Sequence, residues 1–324
     1  MQPGQKSASG RNRVNAWVLT LCSVILLYVQ ICESEESQRT NLGLYGCTVT
    51  GLTVSPDGSV AATSCTGPKG LFLSKDLGGT WHYAQGGVYE DGGGASSIAS
   101  TSNGIYAHTN SMIIYTTVSE AAALAPKWRT LEAPQSSISF VAGASLVTSG
   151  KFILSSWRST GGSTTGFVAV LDTSNNSWLS PLKSLPEGIE AISIAQTGAK
   201  IFVVTTNSQT YAASSNQLYE ADFNESTGTV GNFSDITSRL PSTLGGGTSA
   251  YPANVSTVGS SKILATISND SAVYQGFLST NNGGTFSQVL PVDEDGLVDS
   301  SYTYYSPDLQ TIRSKGCFRG NSII

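Results

Sequence analysis

After about residue 45 the chain is a succession of short apolar or aromatic segments separated by turn residues, and no apolar stripe at the helical period is sustained. Five segments, GLFLSKD, MIIYTTV, FVAVLDT, LYEADF and GFLSTN, read as strands, and each leads to an aromatic residue: Trp81, Trp128, Trp178, Phe233 and Phe286. These aromatics lie 47, 50, 55 and 53 residues apart. Behind the last four comes a short strand ending in proline (RTLEAP, LSPLKSLP, SDITSRLP, SQVLP). Earlier in most units two strands flank a turn, as in GLTVSPDGSVAATS and AISIAQTGAKIFVVTT.

Four short strands per unit of about fifty residues is the period of a propeller blade. One such sheet cannot bury both faces alone, and stacking blades about an axis does so. The pattern predicts an all-β fold over residues 46–324, a β-propeller of about five four-stranded blades. A β-sandwich is the alternative, because its turn spacing is similar. Ser55-Pro56-Asp57 recurs as Ser306-Pro307-Asp308, 251 residues later. SYTYYSPDLQTIRSKGCF then starts a sixth blade without its third strand, as in a piece of a six- or seven-bladed propeller. The alternative is a pair of strands that closes the ring against the first blade.

Ser74, Asp76, Gly78, Thr80 and Trp81 fit the pattern S-x-D-x-G-x-[ST]-[WF] at every defined position. Ser279, Asn281, Gly283, Thr285 and Phe286 repeat it with Asn in place of Asp. At this spacing the Ser and Asp or Asn side chains satisfy backbone N–H groups of a hairpin. Gly supplies a positive φ, and the aromatic seals the space between neighbouring sheets. The two octapeptides resemble the Asp box of the propellers of sialidases, some endoglucanase-type glycoside hydrolases, sortilin-type sorting receptors and photosystem assembly factors. The resemblance extends over nearly everything after residue 45. In that family the box is a structural device, so it implies fold and leaves activity open. The family's sialidases hold the substrate carboxylate with three arginines and carry an Arg-Ile-Pro element ahead of the first box. Neither is visible here, where the arginines after residue 34 are Arg39, Arg129, Arg158, Arg239, Arg313 and Arg319. Sialidase activity is therefore not expected.

The N-terminus is a separate object. Lys6, Arg11 and Arg13 precede an apolar run from Ala16 to Cys32, and Glu33, Glu35 and Glu36 follow it. Residues 1–34 read as a signal peptide and 35–45 as a linker. The alternative is an uncleaved signal-anchor, giving a type II membrane protein with a lumenal or extracellular propeller. Both place the expected propeller outside the cell or in the lumen of the secretory pathway. Asn175, Asn224, Asn232, Asn254 and Asn269 each begin an Asn-x-Ser sequon, an acceptor for glycans in that compartment. Cys47 and Cys65 lie nearly symmetrically about Pro56-Asp57, which predicts a disulfide across the first hairpin.

Charge narrows the partners. Charged residues make up 12% of the chain, the net charge is −5, and after residue 34 there are 14 basic against 21 acidic residues. Nucleic acid is not an expected partner of such a chain. With His82 and His108 as the only histidines, neither a zinc site nor a Ser–His–Asp triad is expected, and no cofactor is implied.

In a propeller the first-to-second and third-to-fourth turns of each blade share one end, here termed the box face. Second-to-third turns and blade-to-blade links share the other, the linker face. The links put Glu90, Asp91, Glu132, Glu187, Glu190, Asp293, Glu294, Asp295 and Asp299 near the linker face, with Lys69 and Arg158 as the main basic residues. Three readings compete. The acids are solvated loop residues; or Glu90, Asp91, Trp157 and Arg158 form a binding mouth in which Trp157 and Tyr89 offer a sugar a stacking surface; or two of Glu187, Glu190, Asp293 and Asp295 hydrolyse a neutral glycan as a carboxylate pair. The expected function is a non-catalytic binding propeller recognising a glycan or protein ligand. A glycoside hydrolase acting on a neutral polysaccharide is the alternative.

Overall fold

The apolar segments pair with their neighbours in the chain into five antiparallel sheets. The computed structural model describes residues 48–66, 70–84, 95, 97–109, 112–140, 146–160, 165–243, 249–258, 261–268 and 274–288, all within the compact unit Gly43–Ile324. Blade 1 consists of β1 (Thr48–Val54), β2 (Ala61–Thr66), β3 (Gly70–Ser74) and β4 (His82–Tyr83). Blade 2 consists of β5 (Ser97–Ser100), β6 (Gly104–His108), β7 (Ile113–Thr117) and β8 (Arg129–Leu131), with a one-turn helix α1 (Val118–Ala122) between the last two. In blade 3 the inner strand is split into β9 (Ile138–Phe140) and β10 (Val147–Ser149), followed by β11 (Phe152–Ser159) and β12 (Thr165–Asp172). Its outer strand is split into β13 (Ser177–Trp178) and β14 (Lys183–Glu187). Blade 4 has β15 (Ile189–Thr197), β16 (Lys200–Asn207), β17 (Gln217–Asn224) and a split outer strand, β18 (Thr229–Val230) and β19 (Ser234–Asp235). Blade 5 has β20 (Tyr251–Val258), β21 (Lys262–Ser268), β22 (Tyr274–Ser279) and β23 (Ser287–Gln288).

Inner strands pack on one another in chain order, β1 on β5, β5 on β10, β10 on β15 and β15 on β20, which is a five-bladed β-propeller arrangement. The core follows from the two-residue period of a strand. In β11, Ile153 and Trp157 point into the layer shared with blade 2, while Phe152 and Leu154 point into the layer shared with blade 4. The layer between blades 1 and 2 and that between blades 4 and 5 are built the same way. Blades 2, 3 and 4 are thus apolar on both faces, as stacking requires. The inner strands of blades 1, 4 and 5 also share a bulge at the same depth, at Val49/Gly51, Ala191/Ser193 and Pro252/Asn254.

The five periodic aromatics occupy equivalent places. Trp81, Trp128, Phe233 and Phe286 each immediately precede an outer strand, and Trp178 ends β13 opposite Leu171. Two of them bolt blades together: the indole N–H of Trp128 donates to the carbonyl of Ala84 (2.6 Å), and that of Trp178 to the carbonyl of Glu132 (2.8 Å). Ala84 and Glu132 each follow the outer strand of the preceding blade. The indole N–H of Trp81 is buried without an acceptor.

Three expectations need correction or completion. Trp157 offers no stacking surface: its place in the two-residue period of β11 turns it into the core, 1% exposed and edge-on to Trp178 at 5.4 Å. Cys65 pairs with Val49 across the first hairpin and is disulfide-bonded. Cys65 is fully buried and is not a free thiol, and Cys47 lies outside the described residues. The helix α1 went unpredicted, although Thr117 and Glu120 form a capping box, each side chain accepting from the other's backbone N–H. Residues 1–45, the start of the expected sixth blade, Lys69, Tyr89, Glu90, Asp91, Asn269, Asp293, Glu294, Asp295 and Asp299 also lie outside the described residues. No described helix is long and apolar enough to cross a membrane.

Candidate functional site

The box face is made of saturated turns. Ser74 Oγ donates to Asp76 Oδ1 (2.7 Å) and accepts from the backbone N–H of Gly78 (2.7 Å). Asp76 accepts from the Thr80 backbone N–H at Oδ1 (2.8 Å) and from the Thr80 hydroxyl at Oδ2 (2.7 Å). The Ser279 turn repeats this bond for bond: Ser279 Oγ to Asn281 Oδ1 (2.9 Å), Gly283 N to Ser279 Oγ (2.9 Å) and Thr285 N to Asn281 Oδ1 (2.9 Å). Only the last bond reverses, with Asn281 Nδ2 donating to Thr285 Oγ1 (3.0 Å). Leu77 and Asn282 share a φ of 53° and 54°, followed by Gly78 and Gly283 at 99° and 80°. The hydroxyl of Ser74, then the Thr80 groups, hold the Asp76 carboxyl down at about 2. Each donor here has an acceptor within the same turn, so the chemistry of these residues is spent on the backbone.

The third-to-fourth turn of blade 4 shares one feature with these, a glycine packed on an aromatic. Gly228 has φ 72°, and a Cβ there would come 2.4 Å from Leu179 and 2.8 Å from Phe152. At Gly283 a Cβ would come 2.4 Å from Phe202. In both turns a glycine lies flat on an aromatic from the second strand of the preceding blade.

The linker face is different. Of the acids expected there, Glu132 and Glu187 are exposed at the ends of β8 and β14, and Glu190 is buried near the start of β15. All three lie at the opposite end of their blades from Asp76 and Asn281. Glu190 is the only buried carboxylate residue among those described. Its side chain is 2% exposed and meets a single cation, Arg158 of blade 3, at 3.5 Å. Arg158 in turn donates to the hydroxyl of Tyr211 at 2.7 Å. Desolvation, and then the hydrogen bond and charge of Glu190, raise the Tyr211 phenol above its ordinary range against the opposing pull of Arg158. The blades touch closely at this point: a Cβ on Gly166, which pairs with Arg158, would come 2.6 Å from the Ile189 carbonyl and 2.7 Å from Glu190 Cα. Only glycine lets the strand that positions Arg158 lie this near to Glu190.

Tyr211 is the residue that sequence reasoning missed. It stands in the loop between β16 and β17, 54% exposed, with φ 49°, a conformation that costs an aromatic residue about 1–3 kcal/mol. Asn207 fixes that loop, its Oδ1 accepting from the N–H groups of Gln209 and Thr210, and its carbonyl accepting from Tyr211 N–H. Asn207 followed by Thr210 was the available signal, a side-chain turn that holds the next residue out. At the other end of the loop, Asn216 Nδ2 donates to the Pro252 carbonyl of blade 5 (2.8 Å), and its Oδ1 is buried without a donor.

The described sequon asparagines Asn175, Asn224, Asn232 and Asn254 are all exposed. Asn175 and Asn224 stand at third-to-fourth turns, Asn232 beside the outer strand of blade 4, where it accepts from Lys183, and Asn254 on an inner strand, accepting from Ser193 Oγ at 2.7 Å. Among the described residues no three His, Cys, Asp or Glu side chains gather as a metal site.

No protein-family model matches the chain, and no curated protein matches it. Solved structures similar to it include a GH74 xyloglucanase from Xanthomonas campestris (12% identity, TM-score 0.43, 76% of this chain and 46% of that one). Others are Kuenenia stuttgartiensis hydrazine synthase (11%, 0.49, 81% and 71%) and the β-propeller domain of Cps50 (Swd1) from Myceliophteria thermophila (12%, 0.48, 75% and 72%). The chain thus spans less than half of the xyloglucanase.

Proposed function

We propose that the chain is a secreted or luminal, non-catalytic binding propeller of the Asp-box type. Its ligand, a glycan or a protein segment, is received on the linker face where blades 3 and 4 meet, around Arg158, Glu190 and Tyr211. One observation carries this reading: an exposed aromatic is held in a strained backbone conformation with its hydroxyl tied to the partly exposed arginine of an ion pair whose carboxylate is buried. Strain of this kind persists where the surroundings over-determine it, and such places cluster at ligand clamps. The ring then has a fixed position, so little side-chain entropy is lost when a partner stacks on it. The box turns support the subtype through their shared hydrogen bonds. The basic and apolar N-terminus and the sequons support the compartment.

A glycan array probed with the full chain tests the reading. Binding to a defined glycan that Tyr211→Ala abolishes, with thermal unfolding unchanged, is the expected result. Binding that survives Tyr211→Ala would move the site elsewhere. Release of new reducing ends from a bound glycan would replace the binding reading with the hydrolase alternative.

A further inference from the structure

Glu190, Thr206 and Asn216 form a row across the linker end of blade 4. Glu190 pairs with Thr206, and Thr205 pairs with Gln217, which brings Asn216 opposite Thr206. Residues directly opposite one another on paired strands project from the same face of a sheet. The row is therefore a carboxylate, a hydroxyl and an amide side by side. Thr206 is 4% exposed and Glu190 1%. The amide orientation of Asn216 is set by its bond to Pro252, so the buried atom left over is an acceptor.

This row has more acceptor capacity than donors. An ionised carboxylate offers about four lone-pair sites. Glu190 meets one guanidinium at the long distance of 3.5 Å and the phenol of Tyr211. A buried carboxylate and a buried amide oxygen in that state are costly unless a donor-rich group meets them. An ammonium group has three donors and no acceptor, and is the side-on complement of such a row.

We propose that the linker face selects a sugar carrying a free amine, with the ammonium seated between Glu190 and Asn216 Oδ1 and the pyranose ring stacked on Tyr211. The inference rests on the reading of this face as a binding site and adds the chemistry of its ligand. An amino sugar fits better than a lysine side chain, because its ammonium is attached to the ring that stacks, whereas lysine presents its charge on a flexible stem without a flat face. Arg158 and Tyr211, the two partly exposed side chains over Glu190, are the way in. The incoming ammonium takes the place of the Tyr211 hydroxyl at the carboxylate, and the freed hydroxyl keeps its bond from Arg158.

The test is calorimetric titration of the full chain with a glucosamine oligomer and with its fully N-acetylated counterpart of equal length, at a pH where the amine is charged. The amine form is expected to bind about 10- to 100-fold more tightly, the worth of a charge-assisted bond. Glu190→Gln should remove most of that preference, so that the amine and acetylated oligomers bind within a few-fold of each other. Asn216→Leu, which keeps the Arg158–Glu190 pair, should reduce the preference several-fold, so a folding defect in the first variant does not decide the matter. Equal affinity for both oligomers, or binding of neither, overturns the inference, as does preference for a lysine-rich peptide over the amino sugar. The reading of the face as a binding site is judged separately: it stands if Tyr211→Ala abolishes binding of whichever ligand the array returns, and falls if it does not.

Discussion

The two ends of the propeller use the same polar side chains to opposite purposes. At the box face, Ser74, Asp76 and Thr80 close a ring of bonds within seven residues of chain, and Ser279, Asn281 and Thr285 repeat it. Ser74 and Ser279 are fully buried, and the exposed Asp76, Thr80, Asn281 and Thr285 are bonded within their own turns. At the linker face, Glu190 and Asn216 are sheltered and under-satisfied, and Tyr211 is strained and exposed. Exposure alone therefore does not mark a site, nor does a recognisable motif. Unspent bonding capacity held in a rigid frame does.

If the box face is architecture, damage there should appear as lost stability with the ligand face intact. The largest effect is expected for Gly283→Ala. The new Cβ meets the Phe202 ring at 2.4 Å and the residue sits at φ 80°, so overpacking and backbone strain add to about 2–4 kcal/mol. Gly58→Ala is the control: its φ is 71° but nothing lies within 4 Å, so only the backbone term of about 1 kcal/mol applies. Chemical denaturation of the two variants separates these terms, and equal losses would show that the glycine does not key the blades together. Next comes Ser74→Ala. Its hydroxyl is fully buried, and losing it leaves Gly78 N–H unpaired, worth about 1–3 kcal/mol.

Much of this architecture was legible because it repeats. The five aromatics mark the outer strands, since each fills a similar place beside its sheet, and they recur about every fifty residues although the segments between them differ in sequence. The third-to-fourth turn of blade 4 shows the limit: Gly228 packs on Phe152 as Gly283 does on Phe202, but no Ser and Asp at the spacing of Ser74 and Asp76 mark it in the sequence. Trp157 was misread for a physical reason. An aromatic beside an arginine resembles a sugar platform in sequence, but its parity in β11 turns it to the core. Tyr211 and Asn216 left no periodic trace, because a loop that projects one side chain obeys no strand or helix period. Of the predicted site, Glu187, Glu190 and Arg158 fall on the expected face, and only the last two meet.

His108 sharpens the comparison from the linker side. It ends β6 opposite Ser97, is 1% exposed, and burial lowers its pKa from 6.5 to about 3. The folded state therefore holds a neutral imidazole where the unfolded chain would take a proton. Stability is fully present above about pH 6.5 and declines as pH falls toward 3, by about 1.4 kcal/mol per pH unit at most. The carboxyls whose folded values are lowered, such as Glu120 and Asp172, add their own loss only once pH falls through about 4.5. Unfolding measured between pH 6.5 and 5 should thus show a slope that His108→Gln removes. An unchanged slope would mean that the imidazole is protonated within the fold.

The smallest expected stability change is the most telling one. Tyr211→Asn replaces an aromatic at φ 49° with a residue that tolerates the left-handed region. Relief of strain favours the variant, and loss of the Arg158–Tyr211 bond (2.7 Å) opposes it. That bond is exposed and worth about 0.5–1.5 kcal/mol, similar in size to the strain. Unfolding free energy should therefore stay within about 1 kcal/mol of the parent chain, in contrast to Gly283→Ala. Ligand affinity should nevertheless collapse, since the stacking surface is gone. A residue kept for packing behaves in the opposite way, costing stability and leaving binding untouched. If Tyr211→Asn lowers the unfolding midpoint as much as Ser74→Ala and binding persists, the linker face is one more piece of architecture, and the difference between the two ends disappears.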